Sequence, residues 1–174
     1  MERLETIMLV CMGNTCRSVM AEAMLRQALE EVMGDEAKDI RVVSAGMSAN
    51  YGDPASRHAE AAMGELGLDV SLHRARSVSS QALNEADLVL AMTTAIKDRL
   101  LKDYPTVEPK VMTLTEFAGL TEELGQDIKD PFGCSLEVYK ASAGQIGRAV
   151  KSAAGKIKDS FRSRRDNHED RHRE

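Results

Sequence analysis

Tryptophan is absent from the 174 residues, and tyrosine and phenylalanine occur three times each. So few rings offer no stacking platform for nucleobases, and a net charge of −5 offers no basic face for phosphates. Nucleic acid is therefore not an expected partner. Long apolar runs are missing too: no stretch approaches the ~20 residues that cross a bilayer. The N-terminal "MERLETIMLVC" carries Glu2 and Glu5 where an export signal would carry positive charge, and its apolar part is too short for a lipoprotein signal at Cys11. A cytoplasmic protein with no membrane attachment is expected. Cysteine is scarce and odd in number, at Cys11, Cys16 and Cys134. That count argues against a disulfide scaffold and permits reactive thiols.

What is present is enough apolar content, 43%, for one core of ordinary domain size. Four short runs, "TIMLVC", "IRVVSAG", "ADLVLAM" and "KVMTLTEF", alternate with longer stretches of helical period. Such alternation predicts a parallel sheet covered by helices. Ala21, Leu25, Ala28, Leu29 and Val32 share one helical face, and Gly34 follows as a stop. A second helix is expected after Asp53 as cap and Pro54 in the first turn, with Gly67 beyond its end. Ile146, Val150, Ala153, Ile157 and Phe161 recur at helical spacing, although Gly144, Gly147 and Gly155 weaken the propensity, so this helix must lean on the sheet. Residues 1–161 read as one domain. From about Arg162, "RSRRDNHEDRHRE" has no large apolar residue and is expected to fray into solvent as a disordered tail, 162–174. Nothing in the sequence sets an oligomeric state.

Between the first run and the first helix lies "CMGNTCRS", Cys11 to Ser18. A Cys and an Arg six positions apart are weak evidence alone. Their context is stronger: "TIMLVC" supplies a strand, "MGNTC" a tight polar turn, and "SVMAEAML" a helix start with Ser18 as candidate cap. Strand, loop and helix in this order aim backbone N–H groups and the positive helix end at one point, which makes an anion site. With a thiol at its floor, that site contains its own nucleophile. Arg17 can grip two oxygens of a phosphoryl group while Cys11 attacks phosphorus in line.

The string resembles the signature loop of the low-molecular-weight protein tyrosine phosphatase family, including its arginine phosphatase branch, and the likeness runs from about Ile7 to Phe161. The resemblance implies a three-layer α/β fold, a four-stranded parallel sheet with helices on both faces. It implies a protein phosphatase working through a cysteinyl-phosphate, with phosphorylated proteins as partners and no cofactor or metal. By the same resemblance Cys11 is the nucleophile and Arg17 the phosphate grip. Met12, Gly13, Asn14, Thr15, Cys16 and Ser18 complete the substrate-binding loop, Asn14 and Ser18 also bracing it, and Ser44 and His73 support it from a distance. Cys11 and Cys16 are implied to pair under peroxide. Val19 departs from the family, which usually has proline there; the loss loosens the helix start without removing a chemical group.

A leaving group needs a proton, and the loop holds no acid. Among 28 acidic residues "KDPFG" stands out, because Pro131 and Gly133 rigidify and turn the chain around Asp130. "DPFG" resembles the family's general-acid loop, so Asp130 is the expected acid and then the base that activates water. Thr15 stands where tyrosine phosphatases of the family carry a bulky apolar residue, and the tyrosines that often follow the acid are missing. Both features resemble the arginine phosphatase branch, with Phe132 as a pocket wall and Asp130 also contacting the guanidinium. Phosphoarginine hydrolysis is thus the expected activity and phosphotyrosine hydrolysis the alternative. An arsenate reductase would need further relay cysteines, and "LHRARSVSSQALNEADLVLAM" holds none. A mere phosphate-binding module would lack the nucleophile or the acid. "HEDRH", His168 to His172, matches a zinc-protease pattern letter for letter but sits in the charged tail without a third ligand, and no metal is expected there.

Overall fold

The computed structural model describes residues 4–169. Four strands, β1 (Thr6–Cys11), β2 (Arg41–Gly46), β3 (Leu88–Ala91) and β4 (Val111–Thr113), form one sheet in the order β2-β1-β3-β4. Every pairing is parallel, with Met8 opposite Val43 on one side and Val89 on the other. The strands read as near-continuous apolar runs because both faces are covered: Ile7, Leu9, Val10 and all four residues of β3 are buried. Among the described residues seven α-helices surround the sheet, α1 (Arg17–Met33), α2 (Arg57–Glu65), α3 (Ser80–Glu85), α4 (Thr94–Asp103), α5 (Leu114–Ala118), α6 (Thr121–Leu124) and α7 (Leu136–Glu169).

The strand order decides where a site can form. From β1 the chain crosses by α1 to β2 on one side, and from β3 it crosses by α4 to β4 in the opposite direction. Right-handed crossovers in opposite directions put α1 and α4 on opposite faces. α7 packs along α1, and α2 and α5 also lie against α7. β1 is therefore the strand at which the winding reverses. In such sheets the crevice beyond its carboxyl end is where ligands bind, and Cys11 is its last residue.

Several local expectations change. The run "KVMTLTEF" stays extended for three residues only, because Thr113 and Glu116 form a reciprocal capping box that starts α5: Glu116 N–H donates to Thr113 Oγ1 (3.1 Å) and Thr113 N–H to the Glu116 carboxylate (2.8 Å). The cap of α2 is Ser56, whose Oγ accepts from Ala59 N–H at 3.3 Å, so Asp53 and Pro54 belong to the loop before it. Ser18 does not cap α1; Cys16 holds the cap position without a side-chain bond to the helix N–H groups, and Ser18 is buried within the first turn. Gly34 and Gly67 stop their helices at positive φ, as expected. Where the sequence suggests a tail leaving the fold from residue 162, helix α7 continues to Glu169 and Arg162 pairs with Glu36 at 2.9 Å. The "HEDRH" string runs beyond the described residues. Among the described residues no helix is long and apolar enough to cross a membrane.

Candidate active site

At the carboxyl end of β1 the chain turns through Met12–Cys16 into α1 and encloses a pocket of about 260 Å³. Cys11, Met12, Gly13, Thr15, Cys16 and Arg17 line it from the loop, Asp130 and Phe132 from one wall, and Ser48, Asn50 and Asp53 from the other. The nucleophile candidate sits at the floor, 3% exposed. Two polar groups converge on its sulfur: Asn14 N–H donates at 3.3 Å, and Ser18 Oγ lies 2.9 Å away. These are the contacts that a sulfur anion accepts.

Asn14 determines the curl of the loop. It adopts φ 55°, the one positive φ outside glycine among the described residues, and asparagine tolerates that region better than most. Its side chain is fully buried and saturated: Nδ2 donates to Ser18 Oγ (2.8 Å) and Ser44 Oγ (2.9 Å), and Oδ1 accepts from Arg76 N–H (3.0 Å). His73 Nε2 donates to the Asn14 carbonyl at 2.7 Å, while Ser44 bonds onward to Glu22, itself held by Arg26. Asn14 and Ser18, outside the pocket lining, thus lie beneath the floor and hold it, and Ser44 and His73 bond to Asn14 from β2 and the loop after Val70. Gly46, at the end of β2, comes close behind the loop; a Cβ there would stand 2.7 Å from the Met12 carbonyl and 2.9 Å from Asn14 N.

Arg17 is buried and bridges the two ends of the sequence. Nη1 donates to the Ile128 carbonyl (3.1 Å) and Nη2 pairs with Asp130 Oδ2 (3.1 Å). The Asp130 loop is anchored behind that contact: Ile128 is fully buried with its N–H on the Met92 carbonyl, and Ser142 Oγ donates to the Lys129 carbonyl. Asp130 itself remains half exposed, its Oδ1 accepting from Phe132 N–H at 3.1 Å, and the Phe132 ring is 74% exposed at the mouth.

Cys16 enters a closed triangle. It donates to Ser56 Oγ (3.4 Å), Ser56 donates to the Tyr139 hydroxyl (3.3 Å), and that hydroxyl lies 3.1 Å from Cys16 Sγ. Burial first, then the Cys16 contact, pushes the Tyr139 hydroxyl up to about 12, so it stays protonated at neutral pH. Tyr139, Ser56 and Gly46 carry no local motif that marks them. Asp53 did draw notice, but in the role of a helix cap. Cys134 is exposed, its Sγ lying 3.8 Å from the Phe132 carbonyl.

A doubly wound parallel sheet whose reversing strand delivers a thiol, and whose next helix delivers an arginine, into one anion pocket defines the class of cysteine-dependent phosphatases. The family model for low molecular weight phosphotyrosine protein phosphatase matches residues 6–163, and the chain belongs to that family. A protein-arginine-phosphatase of Geobacillus stearothermophilus is 36% identical over 151 residues, 87% of this chain and 95% of the relative. A probable low molecular weight protein-tyrosine-phosphatase, EpsP of Ralstonia solanacearum, is 35% identical over 155 residues, 89% of this chain and 97% of the relative. Among solved structures, the YwlE arginine phosphatase from Geobacillus stearothermophilus superposes with a TM-score of 0.79 at 35% identity, covering 88% of this chain and 93% of that one. A low molecular weight protein tyrosine phosphatase from T. tengcongensis gives 0.78 at 39% identity, covering 87% and 98%.

Proposed function

We propose that this protein hydrolyses phosphoarginine in proteins through a cysteinyl-phosphate. Cys11 Sγ attacks phosphorus while Arg17 and the loop N–H groups hold the equatorial oxygens, and the P–N bond breaks on the opposite side. Asp130 gives its proton to the departing guanidine nitrogen. It then takes a proton from water as that water attacks phosphorus and the S–P bond breaks, releasing phosphate and returning the thiolate to the hydrogen bonds of Asn14 N–H and Ser18. The acid loop's anchorage on Ile128 and Arg17 supports this role for Asp130. No cofactor takes part in these steps, and the cytoplasm is the compartment that suits a free thiol nucleophile.

The observation that carries phosphoarginine over phosphotyrosine is the side wall. Thr15 stands beside the floor with its Oγ1 3.6 Å from Cys16 Sγ, and Phe132 is the one aromatic ring among the described lining residues. An aryl ring calls for an apolar slot, whereas a planar, polar guanidinium calls for hydrogen-bond acceptors, which Thr15 and Asp130 supply. The test compares kcat/KM for phosphoarginine and phosphotyrosine peptides on the parent and on Thr15→Ile. The parent is expected to favour phosphoarginine and the variant to reverse the order. A parent that favours phosphotyrosine returns the tyrosine phosphatase reading.

A further inference from the structure

Two carboxylates line the pocket, and they are held differently. Asp130 is engaged on both oxygens, by Arg17 and by Phe132 N–H. The Asp53 carboxylate has no hydrogen-bond or ion-pair partner among the described residues. Its backbone, by contrast, is clamped. Asp53 N–H donates to the Asn50 carbonyl (3.2 Å), its own carbonyl accepts from Ala75 N–H (2.8 Å), and Gly52 N–H reaches the Ala75 carbonyl (2.9 Å). Three residues on, Ser56 N–H donates to the Thr15 carbonyl at 2.9 Å, which ties the segment to the signature loop itself. A free carboxylate on a fixed segment is thus built into the wall of an anion pocket.

A carboxylate lining the same pocket opposes any substrate that is purely anionic, because like charges repel. It favours a substrate in which a cationic group is bonded directly to phosphorus. Phosphoarginine is such a substrate, and phosphotyrosine is not. The chemistry also calls for two carboxylates. Asp130 must hold a proton for the leaving nitrogen, so although its carbonyl oxygen can accept from the guanidinium, it cannot at the same time supply the negative charge that pairs with it. A second carboxylate that is not the proton donor can.

We propose that Asp53 is a specificity-determining residue whose carboxylate accepts guanidinium N–H groups of a phosphoarginine seated over Cys11 and repels phosphotyrosine. The proposal rests on the phosphoarginine reading. Replacing Asp53 with Asn removes the charge and leaves the backbone bonds in place. With phosphoarginine and phosphotyrosine peptides of one sequence, Asp53→Asn is expected to lower kcat/KM for phosphoarginine about tenfold, mostly through KM, and to raise it for phosphotyrosine about twofold. Asp53→Glu keeps the charge and is expected to keep most of the parent's preference. If Asp53→Asn changes both substrates alike, or neither, the proposal falls while the phosphoarginine reading stands. If Asp53→Glu loses as much as Asp53→Asn, the position serves structure and the proposal falls as well. A parent that prefers phosphotyrosine overturns the reading and the proposal together.

Discussion

At the scale of single residues, Arg17 and Asp130 are 3.1 Å apart, yet one is buried and the other half exposed. Such a pair adds little stability, because the exposed partner keeps its water and the interaction is screened. Its use is positional: in the proposed mechanism the guanidinium that grips the phosphoryl group also fixes where the acid stands. Asp130→Asn keeps an oxygen for Arg17 and removes the transferable proton. It is expected to slow phosphoarginine and alkyl-like leaving groups by about 10²–10⁴-fold while slowing an activated aryl phosphate by less than tenfold. Steady-state kinetics on both substrates checks this, and an equal loss on both would give Asp130 a binding role instead. The residues proposed to carry the chemistry were legible because "CMGNTCRS" and "DPFG" are contiguous strings with a mechanical reason for each letter. Asp53 was misread because an Asp before Pro satisfies the local rule for a helix start, while Ser56, three residues on, satisfies it better and wins the cap. Tyr139 meets Cys16 across 123 positions, a distance over which no local pattern operates.

At the scale of elements, the loop is shaped as much by what lies behind it as by its own sequence. The end of β2 is bonded through Met47 N–H to the Cys11 carbonyl and through Ser48 N–H to the Met12 carbonyl, and this ladder brings Gly46 against the loop backbone. A methyl group at Gly46 would meet backbone atoms rather than a flexible tip, so the strain cannot be relieved by a rotamer change. Gly46→Ala is expected to cost about 1–3 kcal/mol in denaturant unfolding. It should also weaken phosphate as a competitive inhibitor at least tenfold, because the loop N–H groups lose their common aim. Parent-like inhibition by phosphate would show that the loop tolerates the push. The first three strands could be read from the sequence because each apolar run coincides with one buried strand. The fourth was legible in place but not in length, because "TLTEF" is apolar enough to continue a strand while its Thr113–Glu116 pair specifies a helix start, and reciprocal capping ends β4 at Thr113.

At the scale of the whole molecule, α7 is the longest element and lies along α1, the helix that presents Arg17. Its core face of Ile146, Val150, Ala153, Ile157 and Phe161 is fully buried, which was legible as a period. The three glycines were legible only as a weakness. Packing separates them. At Gly147 a Cβ would stand 2.8 Å from Met24 Cε, where α1 and α7 come close, whereas at Gly144 and Gly155 nothing lies within 4 Å. Glycine in an open helical position costs ~0.5–1 kcal/mol relative to alanine, chiefly through unfolded-state entropy. Gly155→Ala is therefore expected to raise Tm by about 1–4 °C in a chain of this size. It should leave kcat/KM within error, since nothing at Gly155 touches the pocket. Gly147→Ala gains the same entropy but must displace the Met24 tip, so its increase is expected to be smaller or nil. Calorimetry on the two single variants checks the contrast. Equal gains would mean that Met24 yields without cost and that the α1–α7 seam is looser than the packing implies. A fall in Tm for Gly155→Ala would mean that the open space beside it is needed by the fold.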